Sequence, residues 1–394
     1  MRSEEKGLRA ACEELEVVVV FTTRPCCHAE TLSGVTTMPV EMIGWIAPRV
    51  ASELIPASGP PFRTDVIAKT ARIHETAGFD RVLIGYFSNA PDGFLIGAYA
   101  ASVTERLTFL LAHRPGFVVP TVAARKLATL DQLTAGRTAV HIIAGGNDAD
   151  LARDGDFIDH DARYRRAREY ITLLRRTWTE ATPFEHQGEF YRVVDAHADI
   201  RCHQEPHMPI YGGGGSPAAI EALAPSVDVF MLWGEPLAAS AAFMDAVRTV
   251  AARTNHRITF SLSIRPILGR TEGQAWDRAR NILAKVKARH AGVPPSPQNM
   301  GSLRLLQAAA EKEVHDTCLW TALAVLTGAR GNSTALVGTP ETVAAALVAY
   351  YDLGATSLLI RGYDPLADAA EYGHELIPRV RALVAERDAA KGLQ

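Results

Sequence analysis

The chain has 394 residues, 47% hydrophobic and 22% charged, with a formal net charge of −3. That is ordinary globular composition, enough for two average domains or one large α/β domain. It offers no basic field for nucleic acid, and no apolar run approaches the roughly 18 residues of a membrane span. The cysteines, Cys12, Cys26, Cys27, Cys202 and Cys318, form no C-x-x-C pair. They read as reduced thiols of a cytoplasmic protein, with neither a disulfide framework nor a zinc site.

Residues 1–37 begin with a charged, helix-prone stretch followed by "EVVVVFTTRPCCHAE". The apolar run is short and has acidic flanks, so it makes a poor secretory signal. Residues 1–37 are expected to be a dispensable, poorly ordered extension, and 38–394 the working domain. From Met38 onward short apolar runs alternate with longer helical ones. Strands are predicted at 40–47, 80–86, 107–113, 138–144, 208–212, 227–233, 258–265 and 356–361. Helices are predicted at 64–77, 93–104, 118–134, 161–180, 217–225, 236–254, 272–291 and 366–388. The strands are continuously apolar, as strands buried on both faces are. Eight β-then-α units predict a (β/α)₈ TIM barrel; a doubly wound open sheet fits the same alternation. Two stretches exceed normal loops: 181–207, after the fourth helix, reads as a hairpin-like insertion. The other, 292–333 in the seventh βα region, reads as a lid.

In such a barrel the site lies at the C-terminal ends of the strands. Those ends carry Arg49, "FSNAPDGF", His113-Arg114, His141 with "AGGND", "GGGGS", Trp233-Gly234-Glu235, Ser263 with Arg265, and Arg361-Gly362-Tyr363. The set lacks the paired carboxylates of a glycosidase. It also lacks H-E-x-x-H, G-x-S-x-G and clustered metal ligands. A cofactor would fill that gap. Gly212 to Gly215 would let backbone approach a phosphate, Ser216 would add a hydroxyl, and the helix from Pro217 would present its positive end. A flexible strand-to-helix turn reads the same way. Tyr164 could add a second phosphate contact, though alone it reads as a helix-surface tyrosine.

Several segments resemble the bacterial luciferase-like flavin monooxygenases, especially the two-component alkanesulfonate monooxygenases. They are "LLAHRPGFVVPTVAARKLATLDQLTAGR", "IIAGGNDADLARDGDFIDHDARY", "PIYGGGGS", "VDVFMLWGEP", "TALVGTPETVAAAL" and "LLIRGY". The resemblance implies a barrel that takes reduced FMN from a separate NAD(P)H:flavin reductase and reacts it with O₂. A flavin peroxide then attacks a small organosulfur substrate, a sulfonate yielding aldehyde and sulfite. Carried over by residue, Gly213, Gly214, Gly215, Ser216 and Tyr164 would hold the FMN phosphate. His141 would face the isoalloxazine, Trp233 would wall it, and Tyr363 would face the reacting oxygen. A dimer or tetramer is implied by the same analogy.

The substrate half of the pattern departs from the family. Where the alkanesulfonate enzymes carry a cysteine after the second strand, this chain has Ala90 or a neighbour. Their seventh-strand arginine and histidine correspond to Ser263 and Arg265, their last-strand histidine to Pro365, and their first-strand histidine to Arg49. Their loop arginine corresponds to Arg330, displaced by about one residue. Arg265 is expected either to pair with a loop carboxylate or to stabilise an anionic substrate or peroxide. Arg361 and Arg330 could converge on the same pocket, with one of them bracing the loop. Arg114 could reach the flavin or cap a turn, and His141 could be a satisfied core histidine or a flavin donor. A deazaflavin (F420)-dependent oxidoreductase and a non-catalytic flavin-binding barrel remain alternatives.

Overall fold

A computed structural model describes residues 40–289, 297 and 299–392. The expected extension at 1–37 and the start at Met38 lie outside the described residues. Eight parallel strands form the barrel: β1 (Glu41–Ile46), β2 (Arg81–Ile84), β3 (Thr108–His113), β4 (Thr138–Ile142), β5 (Ile210–Gly213), β6 (Val229–Trp233), β7 (Thr259–Leu268) and β8 (Ala355–Ile360). Each pairs with the next, and β8 closes on β1 from Ser357↔Glu41 to Leu359↔Ile43. All eight predicted strands are present, and the sheet closes rather than staying open.

Alternation along each strand divides the residues between two environments. Outward side chains such as Met42, Val82, Phe109, Val140, Ile210, Phe230 and Leu262 join the main core under the helices. Inward ones, Ile43, Leu83, Leu110, Ala139, Tyr211 and Leu359, form a separate apolar plug inside the barrel. The floor below that plug is polar. The Arg81 guanidinium donates to the Tyr211 hydroxyl and, from Nε, to Thr108 Oγ1 at 2.9 Å. It also pairs with Glu41 at 3.2 Å, while Tyr211 donates to Glu41 Oε2 at 2.9 Å. Satisfying every member is what makes a buried polar cluster tolerable.

Three features differ from the sequence expectation. The segment after residue 300 is not only a covering loop. Strand Ala335–Gly338 adds in parallel to the upper half of β7, and Leu319–Trp320 and Val314–His315 follow it antiparallel. These strands build a second core with helix Glu272–Arg289, around Ile267, Trp320 and Val337. Helix Pro340–Leu353, which connects that strand to β8, was not predicted. Its run "VAAALVAYY" hides the helical period, yet its ends are well marked. Thr339 Oγ1 accepts from the Thr342 N–H, and Gly354 ends the helix at φ 112°. The predicted helix 366–388 is interrupted by a π turn at Tyr372–Leu376. Pro378, in the first turn of the helix that follows, has no N–H to continue the α ladder. The 181–207 insertion is a hairpin as expected, Phe184–Gln187 against Arg192–Ala196. Among the described residues no helix is long and apolar enough to cross a membrane.

Glu41→Ala would leave the Arg81 charge without its carboxylate in the barrel floor. It should cost about 3 kcal/mol in urea denaturation, the range for breaking a buried pair.

Candidate active site

The burial pattern locates an open cup at the C-terminal end of the barrel. On β4 to β6 the outward residues Ile142, Phe230 and Leu232 are buried, whereas the inward His141, Gly213, Met231 and Trp233 are half-buried. Trp45 of β1 and Arg361 after β8 are half-buried on the opposite side. The cup is therefore lined mainly by residues the sequence marked at strand ends. His141 Nδ1 is buried without a hydrogen-bond partner. Burial pushes its pKa down to about 4, so the ring is neutral near pH 7.

The glycine run ends β5 and fits a corner with no room for side chains. None of its four glycines has a positive φ, so space rather than backbone handedness explains them. A Cβ on Gly214 would overlap the Tyr164 hydroxyl and come within 2.6 Å of Ala219 Cβ; one on Gly215 would lie 2.8 Å from the Gly301 nitrogen. Tyr164, in the first turn of helix His160–Thr179, is buried beside Ser216. The Ser216 hydroxyl caps helix Pro217–Leu223 by accepting from the Ala219 N–H at 3.2 Å. Among the described residues nothing accepts from the N–H groups of Gly214, Gly215 or Ser216. Three free amides and two hydroxyls around a glycine cradle fit the phosphate of a flavin nucleotide.

The opposite side of the cup carries charge. Arg265 projects inward from β7 and is 1% exposed. Its Nη1 pairs with Glu53 at 2.7 Å, its Nη2 donates to the Gly362 carbonyl at 2.9 Å, and its guanidinium lies 3.6 Å from the Tyr363 ring centre. Arg361 reaches the same carboxylate at 3.4 Å and lies 5.2 Å from the Trp45 ring centre. Burial opposes ionisation of Glu53, but the Arg265 charge and hydrogen bond, aided by Arg361, hold its pKa down to about 2. Glu53 went unnoticed in the sequence because it sits in an irregular loop, two residues after Ala51 and far from either arginine. The only available signal was a single acid among the β1-end residues.

Two expected residues stand apart. Tyr363 packs into the second core with Ile267 and Trp320, its hydroxyl unpartnered and its pKa pushed by burial to about 12. It supports Arg265 rather than sharing the lumen wall. Arg330 is exposed, and among the described residues no ion pair holds it, so it does not join Arg265 and Arg361. Arg114 is a brace: it pairs with Asp150 at 2.6 Å, donates to Ser88 at 3.0 Å and lies over the Tyr86 ring. His113 points outward and donates to the Tyr170 oxygen at 2.7 Å, since the Tyr170 O–H is committed to the Val118 carbonyl.

Helix Met300–Glu311 covers the glycine corner. A Cβ on Gly301 would lie 3.0 Å from the Trp233 ring. Arg304 binds Glu235 with bonds of 2.8 and 3.0 Å from Nε. Ser302 donates to the Ala329 carbonyl at 2.6 Å, and Asn332 donates to Ser263 Oγ at 2.9 Å.

Residues 42–357 match the family model described as luciferase-like monooxygenase. The chain belongs to this family. Solved structures agree in fold. A riboflavin lyase determined with modified FMN and riboflavin has a TM-score of 0.70 at 16% identity, over 87% of this chain and 92% of that one. The EDTA monooxygenase of Chelativorans sp. BNC1 has a TM-score of 0.68 at 16% identity, over 88% and 94%. An F420-dependent secondary alcohol dehydrogenase has a TM-score of 0.65 at 14% identity, over 86% and 99%. This luciferase-like monooxygenase therefore shares its barrel with both flavin and F420 proteins. Among its described residues no group of three or more His, Cys, Asp or Glu could hold a metal ion.

His74, His113 and His141 all have pKa values pushed by burial to about 4, below the ordinary 6.5. Between those values the unfolded chain binds more protons than the folded one, so stability rises with pH. Their contribution is complete above about pH 6.5 and is lost progressively towards pH 4. NMR titration should find all three neutral at about pH 5.5, while urea midpoints decline over that window.

Proposed function

We propose that this luciferase-like monooxygenase binds reduced FMN and uses O₂ to oxygenate a small organic anion, an alkanesulfonate or related organosulfur compound. The observation that carries the reading is the glycine corner, with the unclaimed amides of Gly214, Gly215 and Ser216 beside the hydroxyls of Ser216 and Tyr164. Gly213 would leave the chain bare where the cofactor passes, and Trp233 would wall its ring. His141 would offer a neutral ring nitrogen to a flavin heteroatom. Bound reduced FMN supplies the electrons that activate O₂.

The chain's own contribution is orientation, charge and exclusion of water. Arg265, fixed by Glu53, the Gly362 carbonyl and Tyr363, would keep a positive charge beside the reacting centre. Arg361 would bind the substrate's anionic group, and Tyr363 would act through Arg265. Arg330, exposed on the covering segment, would take part only if that segment moved inward. Helix Met300–Glu311, latched by Arg304 to Glu235, would shield the reaction from water. A separate NAD(P)H:flavin reductase would supply the reduced cofactor, and a homo-oligomer is in keeping with the family. A deazaflavin-dependent oxidoreductase of the same barrel remains the second reading, since an F420-dependent protein shares the fold.

FMN should bind about 100-fold more tightly than riboflavin, because only FMN presents charge to the amide cradle. Tyr164→Phe combined with Ser216→Ala should shrink that ratio to about 10-fold. Fluorescence titration of both ligands measures it, and equal affinity for FMN and riboflavin would overturn the assignment. Turnover with reduced FMN and O₂ should give an oxygenated product. Tight FMN binding without any product would instead indicate a non-catalytic flavin barrel.

A further inference from the structure

The β1–β8 seam of the barrel does not close along its full length. Pairing stops at Ile43↔Leu359, although β1 runs on to Ile46 and β8 to Ile360. The His74 imidazole stands where the ladder fails. A Cβ on Gly44 would collide with it, and its Nε2 accepts the Trp45 N–H at 3.4 Å. His74 Nδ1 donates to the Thr70 carbonyl at 2.8 Å, which leaves Nε2 as the accepting nitrogen. The opened seam leads into a cavity of about 400 Å³.

The lining of that cavity is mixed: Glu53, Arg265 and Arg361 supply charge, and Phe79, Ile360 and Ala369 supply apolar surface. Within the charged group, Arg265 commits Nη1 to Glu53, Nη2 to the Gly362 carbonyl and its face to the Tyr363 ring, and its Nε is buried without a partner. Glu53 neutralises one guanidinium and no more. Arg361 has a single long bond, 3.4 Å, for a group with five N–H donors. Burial and the neighbouring Arg265 charge push its pKa down to about 10, so it stays protonated but poorly compensated. The half-buried cluster thus holds one positive charge more than Glu53 offsets, on the wall of a cavity that also has apolar lining. Arg289 also lines the cavity, but it is exposed to solvent, which screens its charge, and it donates to the Glu53 carbonyl rather than the carboxylate.

We propose that the seam cavity is the substrate subsite, and that it selects an organic monoanion whose head pairs with Arg361 and whose short apolar tail lies towards Phe79 and Ala369. Glu53 is the specificity-determining residue, because it offsets one of the two guanidiniums, Arg265 and Arg361, that it pairs with. This rests on the oxygenase reading above, but it is tested without the flavin. The volume is at the small end of ligand pockets, which suits a head group with a chain of a few carbons.

The experiment is calorimetric titration of the flavin-free protein with hexanesulfonate, hexanoate, 1-hexanol and hexyl phosphate at about pH 8, where phosphate is dianionic. At least one of the two monoanions should bind, and hexanol should bind at least about tenfold more weakly. Arg361→Ala should weaken the bound monoanion by about tenfold or more, with Arg361→Lys retaining part of the affinity. Glu53→Gln should shift preference towards hexyl phosphate by about tenfold, since it frees a second charge. Ala369→Leu should weaken hexanesulfonate more than ethanesulfonate, a readout that does not depend on the charged cluster. Equal binding of hexanol, or unchanged monoanion affinity in Arg361→Ala, would overturn the proposal. FMN titration of the same preparations separates the two readings. Normal FMN affinity without anion binding rejects the subsite alone, and anion binding without FMN affinity rejects the flavin assignment alone.

Discussion

The bare backbone after β5 is the constraint on which the site depends. Four consecutive glycines let the first turn of helix His160–Thr179, the start of helix Pro217–Leu223 and the start of helix Met300–Glu311 meet in one corner. With any side chain on Gly214 or Gly215 these elements would have to separate, because Tyr164, Ala219 and Gly301 already occupy the space. In the same corner the amides of Gly214, Gly215 and Ser216 have no acceptor among the described residues. The corner is therefore both a packing solution and a candidate anion site, and each role requires the other's geometry.

The second determinant is the polarity of the β7–β8 wall. Ser261 and Ser357 face each other in register inside the lumen, and both hydroxyls are buried without partners. Above them Ser263 holds Asn332, and Arg265 reaches Glu53 across the barrel mouth. Unpaired buried polar groups are costly in a finished core, and within this wall Ser261, Ser357 and the Arg265 Nε are three of them. The β2–β3 wall, with Leu83, Leu110 and Ala112, is apolar by contrast.

The added strand Ala335–Gly338 links this wall to the covering helices. It extends the sheet beside the upper half of β7 and fixes Thr334, whose hydroxyl donates to the Gly234 carbonyl at 2.6 Å. The second core beneath it buries Tyr363 directly under Arg265. Packing outside the barrel thereby sets the position of a charge inside it, and the cover and the cationic wall share one support.

The sequence by itself determined eight β-then-α units, and the tertiary structure decided that their sheet closes into a barrel. The alternation of apolar runs with amphipathic ones is local, and strand and helix periods can be read from neighbouring residues. It also placed His141, Trp233, Arg265, Arg361 and the glycine run at strand ends, because in this topology every strand end opens on one face. It did not reveal Glu53, whose partners lie 212 and 308 residues away. Nor did it separate Tyr363 from the lumen, or show that the β1–β8 ladder stops short and admits His74. Tertiary structure alone decided these points. Which charge meets which, and whether a seam closes, depends on contacts between segments remote in the chain, and no local period encodes them.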